Sequence, residues 1–202
     1  MSLTIGQHAA EVRLWADALP RLVEAELRST GLAIVGESKQ LARTRLKVRS
    51  GMLMRSIRQE VVLNGAVGVL TVRAGGGDRD VQYARLQELG GTVTPKKGRF
   101  LAIPTPLMLT GSGVARVASP RQVPGLIFIP IHGGNAGLLV RKNLGKRAAK
   151  KQPLQVMFWL VPRTTVKAKN YLGDAFDGGI VGVGERMQER VGVLLLESRG
   201  LS

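Results

Sequence analysis

Asn64-Gly65 sits between two valine-rich runs, Val61-Val62-Leu63 and Val67-Gly68-Val69-Leu70-Thr71-Val72. That dipeptide accepts positive φ at both central positions of a type I′ turn, the short loop whose twist matches a pair of antiparallel strands. The sequence therefore predicts a β-hairpin with Asn64 and Gly65 as its loop. Upstream, residues 4–47 read as helical, and Pro20 is expected to open a second helix, since proline is tolerated in a first turn. In that helix Leu27, Gly31, Ile34, Val35, Ser38, Leu41 and Ala42 form one apolar-to-small stripe at i, i+3/4, i+7 spacing. Glu26, Arg28, Lys39 and Arg43 are expected on other faces. Such a helix needs a surface to lie on.

Further along, Gly75-Gly76-Gly77-Asp78 reads as a loop, and residues 81–89 as a short helix with Gly90 at its C-terminal cap. Thr92-Val93-Thr94 and Phe100-Leu101-Ala102-Ile103 are predicted strands on either side of a Pro-Lys-Lys-Gly turn. Eleven prolines and glycines between 104 and 137, from Pro104 and Pro106 to Gly134 and Gly137, break every pattern of 104–153 except 126–131 and 138–140. A connection this long is expected to be an insertion or an extended arm on a single domain whose core is 1–103 and 154–202. Residues 154–161 return as an apolar strand. Beyond Lys169 a helix is expected in two pieces, divided by Gly178-Gly179 and Gly182, with Val183, Met187, Val191 and Leu194/Leu195 as its stripe. The order argues for an α+β fold, a mainly antiparallel sheet packed against a long N-terminal helix and a C-terminal helix.

The chain has no cysteine, so disulfides, thiolate metal sites and cysteine nucleophiles are excluded together. With 4% aromatic residues its core must be built of Val, Leu, Ile and Ala. No apolar run approaches the roughly 18 residues of a membrane span, and the N-terminus lacks the apolar centre of a signal peptide. The protein is expected to be soluble and cytosolic at synthesis, with no membrane partner.

Charge is regional. Between Glu88 and Asp174 there is no acidic residue, and those 85 positions carry fourteen Lys and Arg, which is +14 of the total +16. The candidate partner- or DNA-facing bases are Lys96, Lys97, Arg99, Arg116, Arg121, Arg141, Lys142, Lys146, Arg147, Lys150 and Lys151. Such a surface attracts something negative without naming it: phosphates, with strongly salt-dependent affinity, or an acidic protein. The aromatics in the stretch fall mostly inside strand-like runs, and no helix-turn-helix, RNA-recognition or zinc pattern is present.

Catalytic constellations are missing from the sequence. Only His8 and His132 exist, and no G-x-S-x-G elbow accompanies His132-Gly133-Gly134. The acid-free stretch cannot supply paired carboxylates. Gly182-Val183-Gly184 lacks the third glycine of a dinucleotide fingerprint, and Gly145-Lys146 lacks the rest of a P-loop. No enzyme and no cofactor is expected.

Several short pieces recur in a telling order. Ser50-Gly51-Met52-Leu53-Met54-Arg55-Ser56-Ile57 precedes the hairpin, and Tyr83-Ala84-Arg85-Leu86-Gln87-Glu88-Leu89-Gly90-Gly91 follows it. Then come Thr92-Val93-Thr94-Pro95-Lys96-Lys97-Gly98, Leu101-Ala102-Ile103-Pro104, Leu160-Val161-Pro162-Arg163 and Tyr171-Leu172. Over roughly residues 20–195 this succession resembles the neck and tail-completion proteins of long-tailed bacteriophages, the minor head–tail connector components. It departs from that pattern before Tyr171, where Lys167-Ala168-Lys169-Asn170 stand in place of the proline and arginine. The resemblance implies a structural protein of the virion, assembled in the host cytoplasm as a homo-oligomeric ring. That ring would complete the tail end or join the tail to the portal/adaptor, with portal/adaptor, tail-tube or terminator proteins as partners and genomic DNA in the channel as a further contact. The alternative from charge alone is a non-catalytic nucleic-acid-binding protein that uses residues 96–169. The residues themselves fit scaffold roles. Ser50-Gly51 can turn the chain out of the long helix, and Tyr83 can place a ring at a core edge. Glu88 can accept backbone N–H bonds, and Gly90-Gly91 can reverse the chain.

Overall fold

A computed structural model describes residues 5–47, 51–65, 67–76, 83–141 and 154–198. They form a mixed α+β protein that divides into two compact units, one of residues 1–89 and 168–202 and the other Gly90–Lys167. The boundaries expected at 104 and 153 therefore fall inside the second unit.

The first unit is built on α1 (Ile5–Arg45), a single helix that runs through Pro20. The predicted second helix does not begin there. Proline removes one backbone bond and costs a helix interior about 3 kcal/mol, but Ala16, Ala18 and Leu19 before it and Leu22, Glu24 and Ala25 after it favour helix. From Val23 onward α1 buries the expected stripe: Val23, Ile34, Val35, Ser38 and Ala42 are buried, and Leu27 and Leu41 half-buried. Ser38 Oγ donates to the Ile34 carbonyl at 2.7 Å, which satisfies a buried hydroxyl within the helix.

Against this stripe lies the hairpin of β1 (Arg58–Asn64) and β2 (Val67–Arg73). Asn64 pairs with Val67, so it ends β1 rather than standing in the loop with Gly65 as predicted. Gly65, at φ 63°, takes the first loop position. Both registers turn the same side chains towards α1, so the apolar alternation could not choose between them. Gln59, Val61, Leu63, Gly68, Leu70 and Val72 face inward, while Val62, Val67 and Val69 are exposed. Two glycines set the closeness of the contact. A Cβ at Gly31 would lie 2.2 Å from Gln59 Oε1 and 2.7 Å from Leu70 Cδ1, and one at Gly68 would lie 2.3 Å from Leu27 Cδ1. α2 (Met52–Ser56), α3 (Tyr83–Leu89), α4 (Gly173–Gly179) and α5 (Val183–Ser198) complete this unit. The break between α4 and α5 falls at Ile180–Gly182 as the glycines predict, with Gly182 at φ 73°.

The second unit holds two antiparallel sheets. β3 (Gly91–Val93) pairs with β8 (Thr164–Val166), a strand too short to read from the sequence. β4 (Leu101–Pro104), β5 (Leu126–Ile131), β6 (Ala136–Arg141) and β7 (Gln155–Val161) form a four-stranded sheet in the order β4-β7-β6-β5. The expected strands on either side of the Pro-Lys-Lys-Gly turn exist but pair elsewhere. Likewise β5 and β6, inside the stretch read as an insertion, are a hairpin joined to β7 with a bulge at Leu139/Val140. Val140, Phe158, Met108 and Thr105 are buried here, and Thr105 Oγ1 donates to the Val156 carbonyl at 2.8 Å. Among the described residues no helix is long and apolar enough to cross a membrane.

Packing at Gly31 is tested against an open glycine on the same helix. Gly31→Val should lower stability by about 1–3 kcal/mol through overpacking against the hairpin, despite the better helix propensity of valine. Gly36→Ala, with nothing within 4 Å of its added methyl, should raise stability by up to about 1 kcal/mol. Urea titration of both variants reads the two signs.

Candidate functional site

Four segments far apart in sequence meet in the first unit. The left-handed Gly51, at φ 67°, starts α2, which buries Leu53 and then Ile57 beside it. Ser56 Oγ donates to the Leu53 carbonyl at 2.7 Å and accepts from Gly75 N–H at 3.0 Å, tying the end of β2 to α2. Leu53 and Ile57 pack with Val35 and Ala42 of α1, Ala84 of α3 and Tyr171, which is wholly buried. Tyr171 Oη lies 3.5 Å from the Ala84 carbonyl, at the limit of a hydrogen bond.

Glu88 fastens this cluster. Its Oε2 accepts from Leu172 N–H at 3.0 Å and its Oε1 from Gly173 N–H at 2.8 Å, at the start of α4. Those N–H groups have no partner within the helix, and a carboxylate beside them also meets the positive end of the backbone dipoles. The Glu88 carbonyl accepts from Lys169 and Asn170, and Asn170 adopts a left-handed φ of 43°. From α1, Arg45 Nη1 donates to the carbonyls of Lys169 at 2.8 Å and Asn170 at 3.0 Å, and pairs with Asp174. Beyond α3 the chain reverses at Gly90 and Gly91, φ 69° and 149°.

The structure thus brings together Gly51, Leu53, Ser56, Ile57, Ala84, Glu88, Tyr171 and Leu172. Ser50 lies outside the described residues. Tyr83 is 44% exposed, and its neighbour Ala84 is the residue of α3 that packs in the core. Pro162 and Arg163 stand apart, exposed in the turn between β7 and β8 of the second unit. They do not lead into α4; Lys167-Ala168-Lys169-Asn170 does.

One feature of the first unit escaped the sequence reading. Glu26, expected on an outer face, is 2% exposed. Arg186 Nε of α5 donates to its Oε1 at 2.8 Å, and Arg190 Nε stands 3.4 Å from its Oε2. The signal was there: Glu26, Thr30 and Ile34 are four apart on α1, as are Arg186 and Arg190 on α5. Burial of one charge with two opposite partners leaves a large penalty if either side is removed.

The second unit is the opposite electrostatically. Lys96, Lys97, Arg99, Arg116, Arg121, Arg141 and Arg163 are all exposed, and residues 90–167 contain no carboxylate side chain to pair with them. The Arg99 guanidinium lies 5.3 Å from the centre of the Phe100 ring, which is 6.3 Å from Phe128. Arg116 Nε donates to the Leu109 carbonyl at 2.9 Å. Because Leu101 pairs with Val161, the Lys96–Arg99 turn and Arg163 sit at one end of the four-stranded sheet, and Arg141 sits at the other. Lys142, Lys146, Arg147, Lys150 and Lys151 lie outside the described residues. Among the described residues no three His, Asp or Glu are grouped to hold a metal ion.

Compared with known proteins, the chain matches no family model, no curated protein and no solved structure.

Burial, with the Glu88 carboxylate and Tyr83 adding to it, pushes the Tyr171 hydroxyl up to about 12 from an ordinary 10. Below pH 10 the group is neutral in both folded and unfolded chains, so its contribution is complete there. As pH climbs from 10 to 12 the unfolded chain ionises first and stability falls, by roughly 2–3 kcal/mol at 1.4 kcal/mol per pH unit. Tyr171→Phe should remove that part of the alkaline loss and change neutral-pH stability by less than about 1 kcal/mol. Thermal melts from pH 8 to 12 measure both.

Proposed function

We propose that this chain is a structural component of a bacteriophage head–tail joint, forming a ring that completes the tail end or joins the tail to the portal/adaptor. The observation that carries this reading is the convergence of three of the six short pieces that resemble the neck and tail-completion proteins. Leu53 and Ile57 of 50–57, Ala84 of 83–91, and Tyr171 and Leu172 pack in one cluster, with Ser56 bonded to the Leu53 carbonyl and Glu88 to the N–H groups of Leu172 and Gly173. Residues 118 positions apart, Leu53 and Tyr171, share one core. Their order in the sequence is what such a cluster demands, and the group contains a helix cap and buried apolar side chains rather than a nucleophile and base.

The second unit supplies the partner surface in this reading. Its acid-free boundary nearly coincides with its structural one, so an autonomous body of the chain carries almost all the net charge. Its natural counterpart is an acidic neighbouring ring, because a channel wall that gripped phosphates tightly would slow passage of DNA. Free nucleic-acid binding is the second reading, favoured by the same exposed bases. It requires duplex affinity that falls steeply between about 50 and 200 mM salt.

Negative-stain microscopy of a lysate in which this gene alone is disrupted decides between them. The joint reading expects DNA-filled heads lying beside separate tails, with overlong tails marking a terminator role. Intact particles, or an absence of filled heads, would contradict it.

A further inference from the structure

The face of α1 that the first unit buries continues toward the helix's beginning, half-buried at Leu22, Leu19 and Trp15 and exposed at Val12 and Ile5. Ile5, Val12 and Leu19 are seven residues apart, as are Trp15 and Leu22, so they form one stripe in line with Val23, Glu26 and Thr30. Ile5 is 90% and Val12 68% exposed, and among the described residues no side chain of α1 before Val23 is buried. A helix of some 15 residues is marginal in water without packing.

α5 covers this stripe only in part. Gly179, just ahead of it, lies against Ile34. Arg186 reaches Thr30 and Glu26, and Arg190, one turn on, reaches Glu26. The two helices therefore run antiparallel. Val183, Met187, Val191 and Leu194 form an apolar stripe on α5, yet all are only half-buried, and no described side chain of α5 is fully buried. Two helices with facing stripes that neither can bury form an open layer, and a second such pair closes it into four helices.

We infer that the open layer of α1 and α5 is the contact between copies of this chain, with two copies packing these helices against each other. The occupant follows from charge as well as shape. Residues 90–167 carry thirteen bases and no acid, so that unit of one copy repels that of another. The stretches 5–28 and 183–198 together hold five Arg against seven Asp and Glu, so the helix layer can meet its own likeness without that repulsion. Its stripe residues are apolar, and the one charge buried among its described residues, Glu26, has its two arginines within the same chain. The inference stands on the helices alone and does not depend on the head–tail reading.

Sedimentation velocity of the purified full chain at tens of micromolar tests it. A dimer or higher assembly is expected for the wild type. Ile5→Glu/Val12→Glu should shift it to a monomer that still unfolds cooperatively, with helix lost only from the start of α1 and a melting temperature lowered to that of the dilute wild type, since both positions are exposed within one chain. Raising salt from about 50 to 500 mM should tighten or preserve the association, because it screens repulsion between basic units and spares an apolar seam. A monomeric wild type would overturn the inference. So would an assembly indifferent to the double substitution, or one that dissolves as salt rises, which would place the contact on the basic unit instead.

Discussion

Two backbone N–H groups at the start of α4, those of Leu172 and Gly173, have no helical partner, and the Glu88 carboxylate accepts from both. Hydrogen bonds to a charged acceptor contribute roughly 1.5–3 kcal/mol each, at the lower end where, as at Gly173, the bond is exposed. Their larger consequence is positional. They fix where the C-terminal helices return to the first unit, and so where Tyr171 enters the core between α1, α2 and α3. With α4 placed, Gly179 meets Ile34 and α5 runs back along α1 to bring Arg186 and Arg190 to Glu26. Glu88, with Arg45 on the same return, thus helps close a unit whose sequence is interrupted by 78 residues of another.

The two units obey different electrostatic rules. In the first, charges are paired: Glu24 with Arg28 within α1, and across elements Glu60 with Arg73, Arg45 with Asp174, and Glu26 with its two arginines. Among the described bases of the second, Arg116 has a carbonyl and Arg99 an aromatic ring as partner. The first unit's pairing is compatible with a rigid scaffold, and the second unit's lack of it with attraction to an oppositely charged body. Scaffold and attraction are the two demands a ring at a joint makes on its subunits, which is why the proposed function accommodates both units.

Local chemistry made much of this legible. The stripe from Leu27 to Ala42, the hairpin, the cap at Gly90 and the break near Gly182 each follow from a residue whose backbone or side-chain preference is strong. Glu88 as an acceptor of backbone N–H bonds was also readable. Where the sequence misled, two local solutions were nearly equal. Pro20 suits a first helical turn and survives an interior one, and either hairpin register turns the same side chains inward. Glu26 looked like a surface charge because its partners lie 160 residues away. The runs 126–131 and 138–140 stood out within 104–153, but their place in the main sheet did not, because it depends on pairing with β7, beyond them in sequence.

The central claim is that the dispersed short pieces form one cooperative structural cluster held by Glu88. Amide hydrogen exchange read by mass spectrometry, on the wild type and on Glu88→Ala, tests it most directly. The account predicts that residues 52–57, 83–89 and 171–179 exchange together in the wild type and all lose protection together in the variant. Loss confined to the first turn of α4, with 52–57 and 83–89 unchanged, would contradict it.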